Sequence, residues 1–219
     1  MRIRKRILTA GCCAALLTAG SVLTASAGVI TMGESQESEW QEQAPEYVPV
    51  WGPVLSVTED RIYINNISDS SSAGEMAITV SKEDTRVLDA VNGFPVDISE
   101  LKSGEMVFAY LGPAMTMSLP PIANGITIIC KAPENLKVPE FMRITNVQQE
   151  SDGGLTLSGG NGRTYTVPAD CTVLPYLTRN IVTLQDLTKD RTCLIWSDED
   201  NKAAKIVLFA QEQQEQAVY

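Results

Sequence analysis

Histidine is missing from all 219 residues, and its absence removes whole classes of chemistry. The commonest general base at neutral pH is gone, and with it every His-dependent nucleophile triad. Blue-copper sites and the usual catalytic zinc sites need imidazole too. Cysteine is scarce, with five in the chain. Cys12 and Cys13 lie near the N-terminus, while Cys130, Cys171 and Cys193 are widely spaced and odd in number, so they form neither a disulfide framework nor a metal knuckle. Cys130 and Cys193 sit inside apolar runs, where a free thiol behaves as a small hydrophobe; a Cys171–Cys193 bridge is the alternative. Positive charge is also short, 17 Lys plus Arg against 27 Asp plus Glu. That balance argues against nucleic acid, whose phosphates demand a cationic surface, and against anionic lipid as a purely electrostatic partner.

Four of the few basic residues, Arg2, Arg4, Lys5 and Arg6, open the chain, and an uncharged, mostly apolar run from Ile7 to Leu23 follows. Ala25-Ser26-Ala27 then supplies the small-x-small pattern of a signal-peptidase site. Residues 1–27 are therefore expected to be a signal peptide cleaved after Ala27, which places the protein outside the cell or on its envelope. Retention by an uncleaved N-terminal anchor is the alternative, although Ala, Gly, Ser and Thr leave the run only weakly hydrophobic. Cleavage would leave 13 basic and 27 acidic residues, a net charge of −14.

Internal repetition is what the sequence does have. Thr85–Leu88 and Gly104–Tyr110 run parallel to Cys171–Leu174 and Asp190–Trp196 at a constant offset of 86, with Asp97–Leu101 over Thr183–Leu187 between them. Ile128-Ile129-Cys130 then matches Ile206-Val207-Leu208 once eight extra residues in the first copy are skipped. Such self-similarity usually marks duplicated structural units. The expected organisation is a signal over 1–27, an acidic flexible linker over 28–48, β-units over 49–133 and 134–210, and a Gln/Glu-rich tail over 211–219.

Alternating apolar runs and turn residues predict about five short strands per unit. In the first they are Val54–Val57, Arg61–Ile64, Met76–Val80, Met106–Leu111 and Ile126–Cys130; in the second, Arg143–Val147, Leu155–Leu157, Thr164–Val167, Cys193–Trp196 and Ile206–Phe209. Asp97 with Glu100, and Thr183 with Asp186, read as caps of one short helical turn before the fourth strand. The fold class expected is all-β, as two tandem small OB-like barrels in contact with each other, with a small sandwich as the alternative.

The eight extra residues fall in an uncharged stretch, Gly112–Ile122, joining the last two strands of the first copy. Pro113, Met115, Met117, Leu119, Pro120, Pro121 and Ile122 are the candidate partner-binding loop, because flexible thioethers adapt to varied surfaces and two prolines stiffen the loop. The alternative is that the loop packs between the two units. The matching Ser197–Asn201 of the second copy is short and acidic, but lacks the spacing of a calcium loop. No catalytic residue, metal ligand set or cofactor motif is identifiable; the acidic residues fall in turns, caps and the linker. Trp51, Tyr63, Tyr110, Tyr165 and Trp196 offer either a stacking face or, for the matched pair Tyr110 and Trp196, core packing.

Asp89–Val96 and Ala109–Pro121 resemble segments of exported tandem β-domain proteins of Gram-positive bacteria. Some of those also carry a module similar to the N-terminal domain of copper amine oxidases, which this sequence does not contain. The resemblance covers mainly residues 49–132; it implies export and a repeated β-domain, and no reaction. The function expected is an exported, non-enzymatic module that binds a protein or peptide at the cell surface through the apolar loop, without nucleic acid, cofactor or membrane contact beyond the signal segment. A structural spacer is the alternative, and an enzyme of unrecognised type a lesser one.

Overall fold

The computed structural model describes residues 46–210, so the expected signal peptide, most of the linker, and the tail lie outside it. All its regular elements are strands apart from two single 3-10 turns. The first six are β1 (Val48–Val57), β2 (Arg61–Asn66), β3 (Gly74–Thr79), β4 (Arg86–Asp89), β5 (Met106–Met115) and β6 (Ile122–Cys130). Val50, Gly52 and Val54 of β1 point inward in alternation, as do Ile62, Ile64 and Asn66 of β2, which is the period-2 pattern of a sheet with one buried face. Gly52 is required where β1 meets β2, because a Cβ there would stand 2.0 Å from the Asn65 carbonyl oxygen.

Five of these strands close into a barrel. β2 pairs antiparallel with β1 and β3, β5 antiparallel with β1 and β6, and β6 meets β3 in parallel through Ala77↔Ile122, Ile78↔Ala123 and Thr79↔Asn124. The far edge of β6 is divided, with Thr127–Cys130 carrying β4 in parallel beyond the closure. Pro49 and Pro53 lie in the half of β1 that ladders with β5 alone, where a missing N–H is tolerated. Inside, Val54, Ile62, Ile64, Met76, Ile78, Val107, Leu111 and Ile128 form a closed apolar core.

The second sheet holds β7 (Glu140–Gln149), β8 (Leu155–Gly159), β9 (Thr164–Val167), β10 (Thr172–Pro175), β11 (Thr192–Ser197) and β12 (Ala203–Leu208), in the order β10-β12-β11-β7-β8-β9. It does not close. β9 and β12 touch through one parallel bridge, Thr166↔Lys202, with Thr166 N–H donating to the Asn201 carbonyl at 3.1 Å. Of the two tandem barrels expected, the first sheet closes and the second stays open, and the extra residues explain the difference. They carry β6 back to Ile122, and Ile122–Asn124 is the segment that ladders with β3. β12 starts at Ala203, after the short Asp198–Asn201 turn, and has no such extension.

Two further corrections concern element count and the linker. Each sheet has six strands, because β4 and β10 pair in parallel with β6 and β12. The linker was expected to run to residue 48, yet Tyr47 packs edge-on against Tyr110 and Phe141, with ring centroids 5.4 and 5.3 Å away, and its hydroxyl donates to the Phe141 carbonyl at 3.2 Å.

These aromatic contacts belong to a third apolar cluster, between the two sheets. Leu88, Ala90 and Ile129 from the first meet Phe141, Leu194, Trp196, Val207 and Phe209 from the second. Burial of both faces explains why Ile128–Cys130 of β6 and Cys193–Trp196 of β11 read as continuous apolar runs. Trp196 donates its indole N–H to the Ala90 carbonyl at 2.6 Å, and Lys205 stands over the same ring at 3.9 Å. Gly93 fits beneath that indole: its φ is +77°, and a Cβ would lie 2.7 Å from the Trp196 side chain. We expect Gly93→Ala to lower stability by about 1–2 kcal/mol from the left-handed backbone alone, with crowding of Trp196 adding to it, measured by urea unfolding.

Candidate functional site

The β5–β6 hairpin ends in a turn, Thr116–Pro121, whose first four residues are exposed. Met115 still pairs with Ala123, and Thr116 N–H donates to the Ile122 carbonyl at 2.9 Å, which fixes the base. Above that base the side chain of Thr116 takes over. Its hydroxyl oxygen accepts from Ile122 N–H at 2.8 Å and lies 2.7 Å from the Ser118 hydroxyl. The Ser118 hydroxyl in turn donates to the Pro120 carbonyl at 2.8 Å. The Pro121 carbonyl accepts from Ala77 N–H at 2.9 Å, tying the descending limb to β3. The Leu119–Pro120 peptide is cis. Two hydroxyls and two prolines thus hold the backbone while the side chains between them are left outside.

Met117 and Leu119 are fully solvent-exposed, at 104% and 97% of their reference areas. Met117 forms no hydrogen bond to any described residue through either main chain or side chain. Large apolar groups held out on a braced loop lose hydration when a partner covers them and have little conformational freedom left to lose. The other expected loop residues lie elsewhere on the hairpin. Pro113 is exposed within β5, Met115 packs against the barrel core, and Ile122 pairs with Ala77. Pro120 and Pro121 are half-buried. The cluster between the sheets contains none of the loop's residues.

Thr116 and Ser118 were not among the expected site residues. The available signal was their spacing, one hydroxyl residue on each side of Met117 followed by Leu119-Pro120-Pro121.

No protein-family model matches the chain. A Brevibacillus choshinensis protein described as a protease inhibitor is 29% identical over 92 residues, a stretch that takes in 40% of this chain. The match spans 28% of that protein's length.

The remaining candidates are structural. Asp198 accepts from the main-chain N–H groups of Asp200 and Lys202, ordering its own turn, and among the described residues no three acidic or thiol side chains converge as a cation site. Asp97 caps a 3-10 turn, and its hydrogen bond from Ser99 holds its carboxyl below the usual range. Asp186 is held low in the same way by Thr183. Tyr165 and Trp196 are buried, and Tyr110 packs in the cluster between the sheets. All three described cysteines are free thiols.

Cys130 and Cys193 have no exposed surface, and burial pushes each thiol from its ordinary 9.0 up to about 12. Above pH 9 the unfolded chain therefore releases thiol protons that the folded one keeps. Stability is full below that pH and is lost as pH rises toward 12, by about 1.4 kcal/mol per thiol per pH unit. We expect Cys130→Ala/Cys193→Ala to flatten that alkaline fall in urea midpoints. An unchanged slope would rule the thiols out as its cause.

Proposed function

We propose that this chain is an exported, non-enzymatic protein-binding module that inhibits a protease by presenting the Thr116–Pro121 loop to the protease's active-site cleft. The observation that carries this reading is the loop itself: an exposed turn with two solvent-facing large apolar side chains on a backbone braced by Thr116, Ser118 and two prolines. A cleft evolved to grip extended peptides accepts such a shape, and pre-bracing reduces the entropy lost on docking. The partly similar protein described as a protease inhibitor supports the same choice of partner.

The rest of the molecule serves as scaffold in this reading. The first sheet's order and its parallel β3–β6 closure favour an OB-like barrel, with the second unit an open copy of it. Matching registers favour duplication: Ala109 faces Ile128 in one sheet, and Ile195 faces Ile206 in the other. Export, and a place outside the cell or on its envelope, follow from the cationic start and Ala25-Ser26-Ala27. The affinity to the exported tandem β-domain proteins of Gram-positive bacteria belongs to the same proposal.

The test is titration of the purified protein against serine, cysteine, metallo and aspartic proteases, beside a Met117→Ser/Leu119→Ser variant. Both positions are exposed, so the variant should match the parent's stability within about 0.5 kcal/mol. Inhibition by the parent and its loss in a normally folded variant is the expected result. Equal inhibition by both would remove the loop from the mechanism.

A further inference from the structure

Resting on that reading, we infer that the loop binds as a substrate mimic, with Met117 filling the primary pocket of a serine protease and the Met117–Ser118 peptide bond lying at the catalytic serine. Three features of the loop single out this bond. Met117 is the most exposed large apolar side chain among the described residues, and its main-chain amide and carbonyl are engaged with no described residue, so a protease is free to take both. The residues on each side of the bond are held by separate tethers. On the acyl side Thr116 is fixed to Ile122 through both its amide and its hydroxyl. On the amine side Ser118 is fixed to the Pro120 carbonyl, and Pro121 to Ala77. The Thr116–Ser118 hydroxyl contact at 2.7 Å then bridges the bond itself.

This arrangement suits an enzyme that works through an acyl intermediate. The protease's serine oxygen adds to the Met117 carbonyl carbon, and its proton passes through the enzyme's base to the Ser118 nitrogen as the Met117–Ser118 bond breaks. An ester at Met117 and a free Ser118 amine result. In a flexible substrate that amine diffuses away and water enters. Here the tethers keep the amine beside the ester, so it attacks back, re-forms the peptide and returns the proton to the serine. The loop is thus bound like a substrate and turned over slowly.

Met117 also sets the class of partner. Its side chain is long, unbranched and uncharged, which fits a deep apolar primary pocket; a pocket with a buried carboxylate would be left with that charge unsatisfied.

The experiment measures inhibition constants of the purified protein, Met117→Lys and Met117→Asp against two serine proteases, one with an apolar primary pocket and one with an acidic pocket. Melting curves should coincide, since the Met117 side chain is fully exposed. The parent should inhibit the first enzyme. Met117→Lys should lose about 100-fold or more there and gain about as much against the second, and Met117→Asp should be weak against both. Prolonged incubation should yield one nick, between Met117 and Ser118, by mass spectrometry. Inhibition that all three proteins share equally, or a first nick elsewhere, overturns the Met117 assignment while leaving an inhibitor. Inhibition confined to cysteine proteases overturns the serine class. A parent that inhibits no protease overturns the underlying reading instead.

Discussion

Trp196→Ala is expected to destabilise the protein by about 3–5 kcal/mol, the cost of emptying a large buried aromatic site. The indole is 8% exposed and lies where both sheets contribute to one cluster. Three losses coincide there. The apolar area is removed, the Ala90 carbonyl loses its 2.6 Å donor, and Lys205 loses the ring beneath it. A buried carbonyl left without a partner costs about 1–3 kcal/mol on its own. Trp196→Phe separates the terms, since it keeps most of the apolar area but not the N–H, and should cost roughly 1–3 kcal/mol. Urea unfolding measures both. Because the two sheets share this cluster, the parent should unfold in one transition. A loss below 1 kcal/mol for Trp196→Ala would mean that the sheets do not depend on each other.

The repeat made the equivalent elements of the two sheets partly legible in the sequence, and the closure hardly at all. Positions 86–89 and 172–175, the two 3-10 turns, and the starts of β5 and β11 all keep the offset of 86 in the structure. Repetition marks equivalent positions whatever their conformation, so these were the safest to read. β4 and β10 were missed as strands because four residues paired in parallel with a distant partner leave no hairpin signal. The first half of β1 was missed because Pro49 and Pro53 argue against a strand; its one-sided ladder is visible only once β5 is beside it. Tyr47 was placed in the linker for the same kind of reason, since its partner Phe141 is 94 residues away.

The candidate site divides along a similar line. Met117 and Leu119 could be picked from an uncharged, proline-stiffened insertion, because large apolar residues in such a segment need a reason. The bracing by Thr116 and Ser118 could not. It requires the register that sets Ile122 N–H against the Thr116 hydroxyl, and that register comes from β6 ending on β3. The same eight-residue difference between copies thus closes the barrel and raises the loop.

That bracing leads to a second large effect. Thr116→Val keeps the size and branching of the side chain but removes the hydroxyl on which two hydrogen bonds converge. Stability should change by less than about 1 kcal/mol, because the turn is exposed and water can serve Ile122 N–H. Under the proposed function, inhibition should nevertheless weaken by about 10–100-fold, since small displacements of a pre-set geometry are costly. The nicked form should also accumulate faster, as a loosened Ser118 amine no longer waits beside the ester. Ser118→Ala should act in the same direction through the lost Pro120 contact. The double variant should fall well short of the sum, because the two hydroxyls share one network. Inhibition constants and nicking rates for the four proteins decide the matter. If Thr116→Val inhibits as tightly as the parent, and is cut no faster, the hydroxyl bridge contributes only to the shape of the hairpin, and binding must rest on Met117, Leu119 and the prolines alone.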